Sequence, residues 1–170
     1  MHEIDLTSWR RRPHFDLFST FDHPHFSLCA NLELTSVHER VKDSRVSFTV
    51  AFVYVITRAA NDIPEFRQRI RNGKVVEHDI VSPSVTILVD YDLFSCCTIP
   101  YSEDFAAFVA SATAMIAHVK QHPTLHDEPG QDDLLFMTAL PWVPFTSFMH
   151  PMRLDPADSI PRFAWGKYFQ

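Results

Sequence analysis

The most informative segment of the chain reads MTALPWVPFTSF over residues 137–148. A proline fixes its own φ angle and biases the residue before it toward an extended conformation, so Pro141 and Pro144 hold the backbone in one course. This stiff segment presents the hydroxyl of Thr138 and the ring of Trp142. The same features also suit an ordinary corner of a hydrophobic core, and the segment alone leaves both interpretations open.

Local patterns elsewhere predict a mixture of helices and strands. Three helices are predicted: a short one from a Ser36-x-x-Glu39 capping box to about residue 43, one over 44–61, and one over 102–121 that opens with Ser102-Glu103-Asp104. Strands are predicted over 84–90 and within 134–148, and a hairpin or a helix-to-strand turn over 66–78. Residues 122–133 are predicted to form a loop. The 44–61 segment is rich in β-branched residues, but its length and its alanines favour a helix over a strand. Since the elements show no regular βαβ alternation, we expect an α+β fold, a two-layer sandwich of a mixed β-sheet with helices packed on one face.

The composition is that of one folded domain with a substantial core. Of the 170 residues, 46% are hydrophobic and 13% aromatic, and only three are glycine. The net charge of −6 speaks against nucleic-acid binding. No apolar run approaches the roughly 18 residues of a membrane span, and the first residues do not read as a signal peptide. We therefore expect neither a nucleic-acid nor a membrane partner.

Neither the three cysteines nor the ten histidines form a recognisable site. Cys29, Cys96 and Cys97 do not make a disulfide framework, which indicates reduced thiols in a cytoplasmic protein. His122 and His126 have helical spacing, but a proline lies between them and the surrounding residues predict a loop. No Cys-x-x-Cys pair accompanies them, so we expect no metal site.

Short motifs follow one another in a characteristic order along the chain. They are WRRRPHFDLF at 9–18, PEFR at 64–67, NG at 72–73, SPSVT at 82–86, FS at 94–95, PYSEDF at 100–105 and GKY at 166–168. Together with residues 137–148, this series resembles the chloramphenicol acetyltransferase family over essentially the whole chain. The family's catalytic His-His-x-x-x-Asp-Gly segment lies well beyond Gly-Lys-Tyr, whereas this sequence contains no His-His pair. We therefore expect residues 1–170 to be a single acetyltransferase-like domain with its C-terminal part missing.

The resemblance implies an O-acetyltransferase with acetyl-CoA as co-substrate and no metal. In the family, a neutral histidine takes the proton of an acceptor hydroxyl, whose oxygen attacks the thioester carbonyl within a ternary complex. Thr138 occupies the position of the family serine that stabilises the oxyanion, although a strand threonine that packs by its methyl group is an equal alternative. Arg11 matches the arginine that anchors the catalytic loop, and burying it without its partner would cost several kcal/mol. Without the general-base histidine, we expect the 170-residue polypeptide to be inactive.

The resemblance also implies a largely aromatic acceptor pocket. The matching residues are Leu17, Phe18, Thr86, Phe94, Met137, Phe148 and His150. Leu17 replaces an aromatic residue of the family, Phe18 a tyrosine and His150 a leucine. We therefore expect chloramphenicol or a similar small acceptor, with a pocket that can favour an acceptor different from chloramphenicol. For each of these residues, packing in the core is an equally good interpretation.

For coenzyme A, the resemblance implies two contacts from aromatic rings, whereas two polar residues that contribute to coenzyme binding in the family are replaced in this sequence. Tyr168 matches the tyrosine that stacks on adenine, and Trp142 matches a contact to the pantetheine arm. Ser47 replaces the lysine that neutralises the ribose 3′-phosphate, and Ala164 replaces a threonine that positions a water. Both replacements predict weakened coenzyme binding.

The family assembles as a homotrimer with active sites between subunits, and the resemblance implies the same here. Two other functions stay open. One is a natural short form that binds a small ligand or a partner subunit without catalysis; the apolar and aromatic residues at the end of the chain favour truncation over this form. The other is the acyltransferase domain of 2-oxo acid dehydrogenase complexes, against which the spacing of Pro-Trp-Val and Pro-Glu-Phe-Arg speaks.

Overall fold

Five helices and seven strands are found in the computed structural model, which describes residues 1–90, 92–125, 130–156 and 158–167. The helices are α1 (Arg12–Phe18), α2 (Thr35–Val41), α3 (Phe48–Asp62), α4 (Pro64–Arg67) and α5 (Phe105–Gln121). The strands are β1 (His2–Glu3), β2 (Gln68–Arg71), β3 (Lys74–Glu77), β4 (Ser82–Leu88), β5 (Phe94–Thr98), β6 (Leu134–Ala139) and β7 (Arg162–Trp165). The predicted helices over 44–61 and 102–121 are confirmed as α3 and α5.

The main sheet is mixed, with the strand order β5-β4-β6-β7. Strand β4 runs antiparallel to β5 and parallel to β6, and β7 is parallel to β6. Helices α3 and α5 pack against this sheet, which confirms the predicted α+β class. Among the described strands, β7 forms one edge of this sheet, and its residues line a groove.

The hydrophobic core lies between the sheet and these two helices. Val85 of β4 pairs with Cys97 of β5 on one side and with Met137 of β6 on the other. These three side chains, which we call the core row, are fully buried together with Phe108 of α5 and Val53 of α3. Because side chains alternate across a strand, the core row also fixes which residues of these strands face away from the helices.

A second, three-stranded sheet carries the predicted hairpin. Strands β2 and β3 pair antiparallel around Asn72 (φ 50°) and Gly73 (φ 74°), and β1 adds to the far side of β3. Two consecutive positive φ angles are what a two-residue turn of the I′ type requires. The prediction left a helix-to-strand turn open as an alternative, and the structure contains the hairpin, directly after the short α4.

Several predicted helix and strand ends were wrong. The Ser36-x-x-Glu39 capping box does not form, since α2 begins at Thr35 and Ser36 therefore lies inside the helix. The N–H of Thr35 donates to the Glu33 carboxylate at 2.8 Å. The cap of α5 is the third residue of its predicted opening, Asp104, which accepts the N–H of Ala107 at 2.9 Å. Strand β6 ends at Ala139 instead of continuing to residue 148. Pro141 has no N–H for a ladder, so the chain turns there.

Candidate functional site

The sheet brings three of the predicted site residues to one face. Side chains alternate across a strand, so a residue one or three positions from a member of the core row lies on the opposite face. Thr138 directly follows Met137, Thr86 directly follows Val85, and Phe94 lies three residues before Cys97. All three therefore point away from the helices. Thr138 pairs with Ala164 in the register of β6 and β7. The oxyanion candidate and two acceptor candidates therefore lie on the same face of the sheet.

The Thr138 hydroxyl is available for a ligand. Its residue is half-buried near the C-terminal end of β6, just before the turn at Pro141. Within the part of the chain that the structure describes, this hydroxyl makes no hydrogen bond. A free hydroxyl can donate a hydrogen bond to a ligand oxygen, which is what the predicted oxyanion role of Thr138 needs.

A groove of about 1100 Å³, which we call the edge groove, lies beside β7. One wall is formed by residues 27–35, and the other by β7 with residues 166–167. The apolar side of α3 and Phe66 form the floor, and residues 144–150 contribute Phe148 and His150. Of the predicted acceptor residues, only these two line the edge groove. Ala164, the ladder partner of Thr138, lines it as well.

His150 is the most unusual side chain in this groove. Its Nε2 atom is buried and finds no hydrogen-bond partner among the described residues. The ring lies 4.8 Å from the Phe148 ring in an edge-on arrangement. Burial, and then the positive charge of Arg162, lower the pKa of His150 below its usual value. The imidazole is thus neutral at pH 7, with one nitrogen that a ligand could satisfy.

The Arg162 guanidinium that acts on His150 is held in place by two contacts. It pairs with the Asp158 carboxylate and also donates to the Ile160 carbonyl at 3.0 Å. Its central carbon lies 5.1 Å from the centre of the Phe136 ring, a cation–π arrangement. Asp158 in turn offers its backbone carbonyl to His25 Nε2 at 2.6 Å, which ties residues 23–27 to this region.

Arg11 finds a partner within the described chain. Its guanidinium lies 2.6 Å from the Glu65 carboxylate, and the two side chains are 57% and 44% exposed. The expected penalty for an unpaired buried charge therefore does not arise. An exposed pair of this kind contributes about 1 kcal/mol or less.

The other predicted site residues are spread over the surface and the core. Leu17, Phe18 and Phe94 are about half exposed, and Trp142 is 63% exposed. Met137 belongs to the buried core row, so a ligand reaching it would have to displace core contacts. Tyr168 lies outside the described residues, and its predicted stacking on adenine stays a prediction.

Sequence reasoning missed a buried arginine behind the start of β6. Arg69 is 1% exposed and donates to the carbonyls of Phe66, Gln68, Asp132 and Leu134 at 2.6–2.9 Å. Burial lowers its pKa to about 10. In the sequence it sits in a charged stretch typical of a solvated hairpin, so no local signal could have revealed its burial.

No group of three or more His, Cys, Asp and Glu side chains within the described ranges could hold a metal ion. No helix among those same residues is long and apolar enough to cross a membrane.

Comparison with known proteins links the whole chain to one family. A family model described as chloramphenicol acetyltransferase matches residues 1–170. A protein named chloramphenicol acetyltransferase from Bacillus pumilus is 32% identical over 163 residues, which cover 95% of this chain and 74% of the relative. One of the same name from Proteus mirabilis is 30% identical over 167 residues, covering 98% and 77%. A solved structure titled chloramphenicol acetyltransferase superposes with a TM-score of 0.87 at 28% identity, over 98% of this chain and 82% of that one.

Proposed function

Because the chain belongs to the chloramphenicol acetyltransferase family, we propose that it supplies the oxyanion and acceptor sites of an acetyl-CoA-dependent O-acetyltransferase. The acceptor is chloramphenicol or a similar small molecule with a free hydroxyl. The observation that carries this proposal is the free Thr138 hydroxyl, which lies on one sheet face with Thr86 and Phe94. Such a donor suits a reaction in which negative charge develops on a carbonyl oxygen.

In the proposed reaction, the acceptor oxygen attacks the thioester carbon of acetyl-CoA while a base removes the hydroxyl proton. The Thr138 hydroxyl donates to the carbonyl oxygen as that oxygen becomes negative. Collapse of the tetrahedral intermediate breaks the C–S bond, and the thiolate of coenzyme A takes back a proton from the base. The family's His-His motif does not occur in the 170 residues, so we expect this polypeptide alone to lack a base at the acceptor hydroxyl.

The acceptor site combines apolar rings with one neutral imidazole. Phe148 and His150 are in contact in the edge groove, and the unsatisfied Nε2 of His150 favours an acceptor with a polar group at that point. Leu17, Phe18 and Phe94 complete the set with apolar surface. Since a buried polar group discriminates against ligands that leave it unpaired, His150 would favour acceptors that offer a hydrogen-bonding group to Nε2.

Coenzyme A binds through ring contacts more than through charge. Trp142 is 63% exposed and can cover the pantetheine arm, and Tyr168 stacks on adenine. With Ser47 in place of the phosphate-binding lysine and Ala164 in place of a threonine, affinity for the coenzyme is lower than is usual in the family.

The site is completed between the subunits of a homotrimer. Leu17, Phe18 and Phe94 are about half exposed in the single chain, and apolar residues that belong to one pocket are better explained by a neighbouring subunit than by solvent. Sedimentation equilibrium should therefore give about 59 kDa, three times the 19.6 kDa of one chain. A monomer at micromolar concentration would contradict this arrangement.

The reaction is tested by acetyl transfer from acetyl-CoA to chloramphenicol, with and without added imidazole as an external base. We expect turnover by the 170-residue polypeptide only when imidazole is present. Thr138→Ala should then lose about 10²–10³ in rate, the effect of removing one oxyanion donor. Thr138→Ser keeps the hydroxyl and serves as the matched control, which should stay within about tenfold of the parent.

Three outcomes would contradict parts of this proposal. Turnover without imidazole would mean that the polypeptide supplies a general base of its own. A Thr138→Ala variant as fast as Thr138→Ser would remove the oxyanion role. Saturable binding of chloramphenicol with no turnover under any condition would instead support the non-catalytic alternative, a relative that only binds a small ligand or a partner subunit.

A further inference from the structure

Two histidine rings lie side by side at the C-terminal end of α5. His118 belongs to the last turn of the helix, and His122 is the residue that caps it, four positions later. The centres of the two rings are 4.8 Å apart, and their planes are inclined at 41°. His122 and His126 have helical spacing in the sequence, but His126 lies outside the described residues. The ring that the structure places beside His122 is therefore that of His118.

Both imidazoles are exposed and available to a ligand. Within the part of the chain that the structure describes, neither ring takes part in a hydrogen bond or an ion pair. A neutral imidazole carries a lone pair on one ring nitrogen, and this lone pair is a good ligand for a transition-metal ion. Two histidines four positions apart on one helix face are a known arrangement for binding one such ion.

The backbone around the two histidines is fixed by hydrogen bonds. The N–H of His122 donates to the His118 carbonyl at 2.9 Å and closes the last turn of α5. Just beyond, the N–H of Thr124 donates to the Ser95 hydroxyl at 2.7 Å, and the Thr124 carbonyl accepts the N–H of Cys96 at 2.8 Å. Since the backbone is already in place, a ligand that joins the two rings has little ordering to impose.

The separation of the rings suits a shared metal ion. With a metal–nitrogen bond of about 2.0–2.1 Å, the metal would lie about 3.2 Å from the centre of each ring. Ring centres 4.8 Å apart then subtend an angle of about 97° at the metal. This angle is closer to the value of about 90° in octahedral or square-planar coordination than to the tetrahedral value of about 109°. Nitrogen ligands in such a geometry are typical of Ni²⁺ and Cu²⁺.

The charges at this end of the helix also favour a cation. The last carbonyls of α5 form the negative end of the helix dipole. Lys120 lies between the two histidines in the sequence, but residues two positions apart on a helix do not face each other. The whole chain carries a net charge of −6, which adds to the attraction.

A second pair of neighbouring histidine rings, His23 and His25, lacks these properties. Their ring centres are 5.4 Å apart. However, Nε2 of His25 lies 2.6 Å from the Asp158 carbonyl oxygen, and Nδ1 of the same ring is buried. Neither nitrogen of His25 is open to an ion from solvent, so this pair provides a matched control.

We propose that His118 and His122 together bind one divalent transition-metal ion of the Ni²⁺ and Cu²⁺ class. Each imidazole supplies one nitrogen. Water fills the remaining positions, since no group of three or more His, Cys, Asp and Glu side chains in the described ranges could hold a metal. The ion holds the last turn of α5 closed. Because α5 packs on the face of the sheet opposite Thr138, this site is separate from the proposed oxyanion and acceptor sites.

The experiment is isothermal titration of the 170-residue chain with NiCl₂. The variants are His118→Gln and His122→Gln, and the control is His23→Gln. We expect the parent chain and the control to bind one Ni²⁺ each, and both site variants to bind it about 100-fold more weakly, because two linked ligands bind far more tightly than one. At a free Ni²⁺ concentration about 100 times the dissociation constant, the unfolding equilibrium constant of the parent should fall about 100-fold. Equal Tm values for all four proteins in EDTA would show that the substitutions leave the fold intact.

The proposal is overturned if the parent chain binds no Ni²⁺ at millimolar concentration, or if all four proteins bind it equally, since other histidines would then be responsible. Loss of binding in His23→Gln with no change in His118→Gln would assign the ion to the other pair. Loss in only one of the two site variants would mean that the rings do not share an ion. None of these measurements depends on acetyl transfer, so the proposed function and the metal site can fail independently.

Discussion

Replacing Arg69 by methionine tests whether the buried guanidinium holds the second sheet to the start of β6. Its four carbonyl acceptors come from α4, β2, β6 and Asp132 of the preceding loop, at 2.6–2.9 Å. Methionine has a similar length and fills much of the volume, so the substitution removes the donors with little change in packing. The variant should fold, but with a lower free energy of unfolding.

The magnitude follows from two opposing contributions. Four hydrogen bonds from a charged donor contribute about 1.5–3 kcal/mol each. Burial of the guanidinium opposes them: it lowers the pKa of Arg69 to about 10, which corresponds to a cost on the order of 3 kcal/mol. The four carbonyls lose their donor in the variant, and the lower end of the difference between the two contributions is a loss of about 3–5 kcal/mol. For a domain of this size, that is a drop in Tm of roughly 6–20 °C.

The assay is urea unfolding of the parent chain, Arg69→Met and the control Arg71→Met. Arg71 lies two residues further along the same strand and binds the Asp132 carboxylate, but its side chain is 38% exposed. The control should therefore lose about 1 kcal/mol or less. With a slope of about 2 kcal/mol per molar urea, Arg69→Met should shift the midpoint by about 1.5–2.5 M. If the two variants unfold within about 1 kcal/mol of each other, the reasoning about Arg69 is wrong.

Three further predictions concern other parts of the fold. In Gly166→Ala, the new Cβ would lie 2.5 Å from the Val143 carbonyl oxygen, so the unfolding free energy should fall by about 1–3 kcal/mol in urea unfolding. Asp104→Ala removes the cap of α5 and should cost about 1 kcal/mol, measured as a lower Tm. Burial alone would raise the pKa of Asp132. The hydrogen bond and positive charge of Arg71, and then the hydrogen bond and charge of His78, lower it by more, so the pKa lies below 3.8. This carboxylate therefore stabilises the fold above pH 3.8 and loses its effect as the pH falls through the lower folded value, a dependence that Asp132→Asn should remove.

Each of the three can fail. Gly166→Ala with unchanged stability would mean that the Val143 carbonyl moves aside freely. For the cap, Asp104→Asn serves as the control, because its side-chain oxygen can still accept the N–H of Ala107. An equal loss in both variants would remove the capping role of Asp104. An Asp132→Asn variant that keeps the acid-dependent loss of the parent would assign that loss to other carboxylates.

Local signals were sufficient for the elements whose own residues specify them. The alanines and the length of 44–61 predicted α3, and Asn72-Gly73 predicted the hairpin, because a I′ turn needs two residues that tolerate positive φ. The short strand β5 was missed, since FSCCT carries no turn signal and only mixed alternation. Strand β7 was missed as well, because its pairing depends on β6, more than twenty residues earlier.

For the candidate site, motif order identified Thr138 as the oxyanion candidate, and strand register explains its setting. The sequence could not show that Thr138, Thr86 and Phe94 share a face, since that follows from alternation relative to the core row. It also could not show that Arg11 forms a salt bridge with Glu65, although the two residues belong to the family-like motifs at 9–18 and 64–67. Burial of Arg69 was equally hidden.

Neighbouring residues determine the hydrophobic periodicity, the helix caps and the order of motifs. The amino-acid sequence was therefore sufficient to predict the fold class, the long helices and the family resemblance. Strand order, the edge groove and the lowered pKa of His150 arise from residues that are distant in sequence. They depend on how those residues pack and on how much water their packing excludes, and that became visible only when the chain was folded in three dimensions.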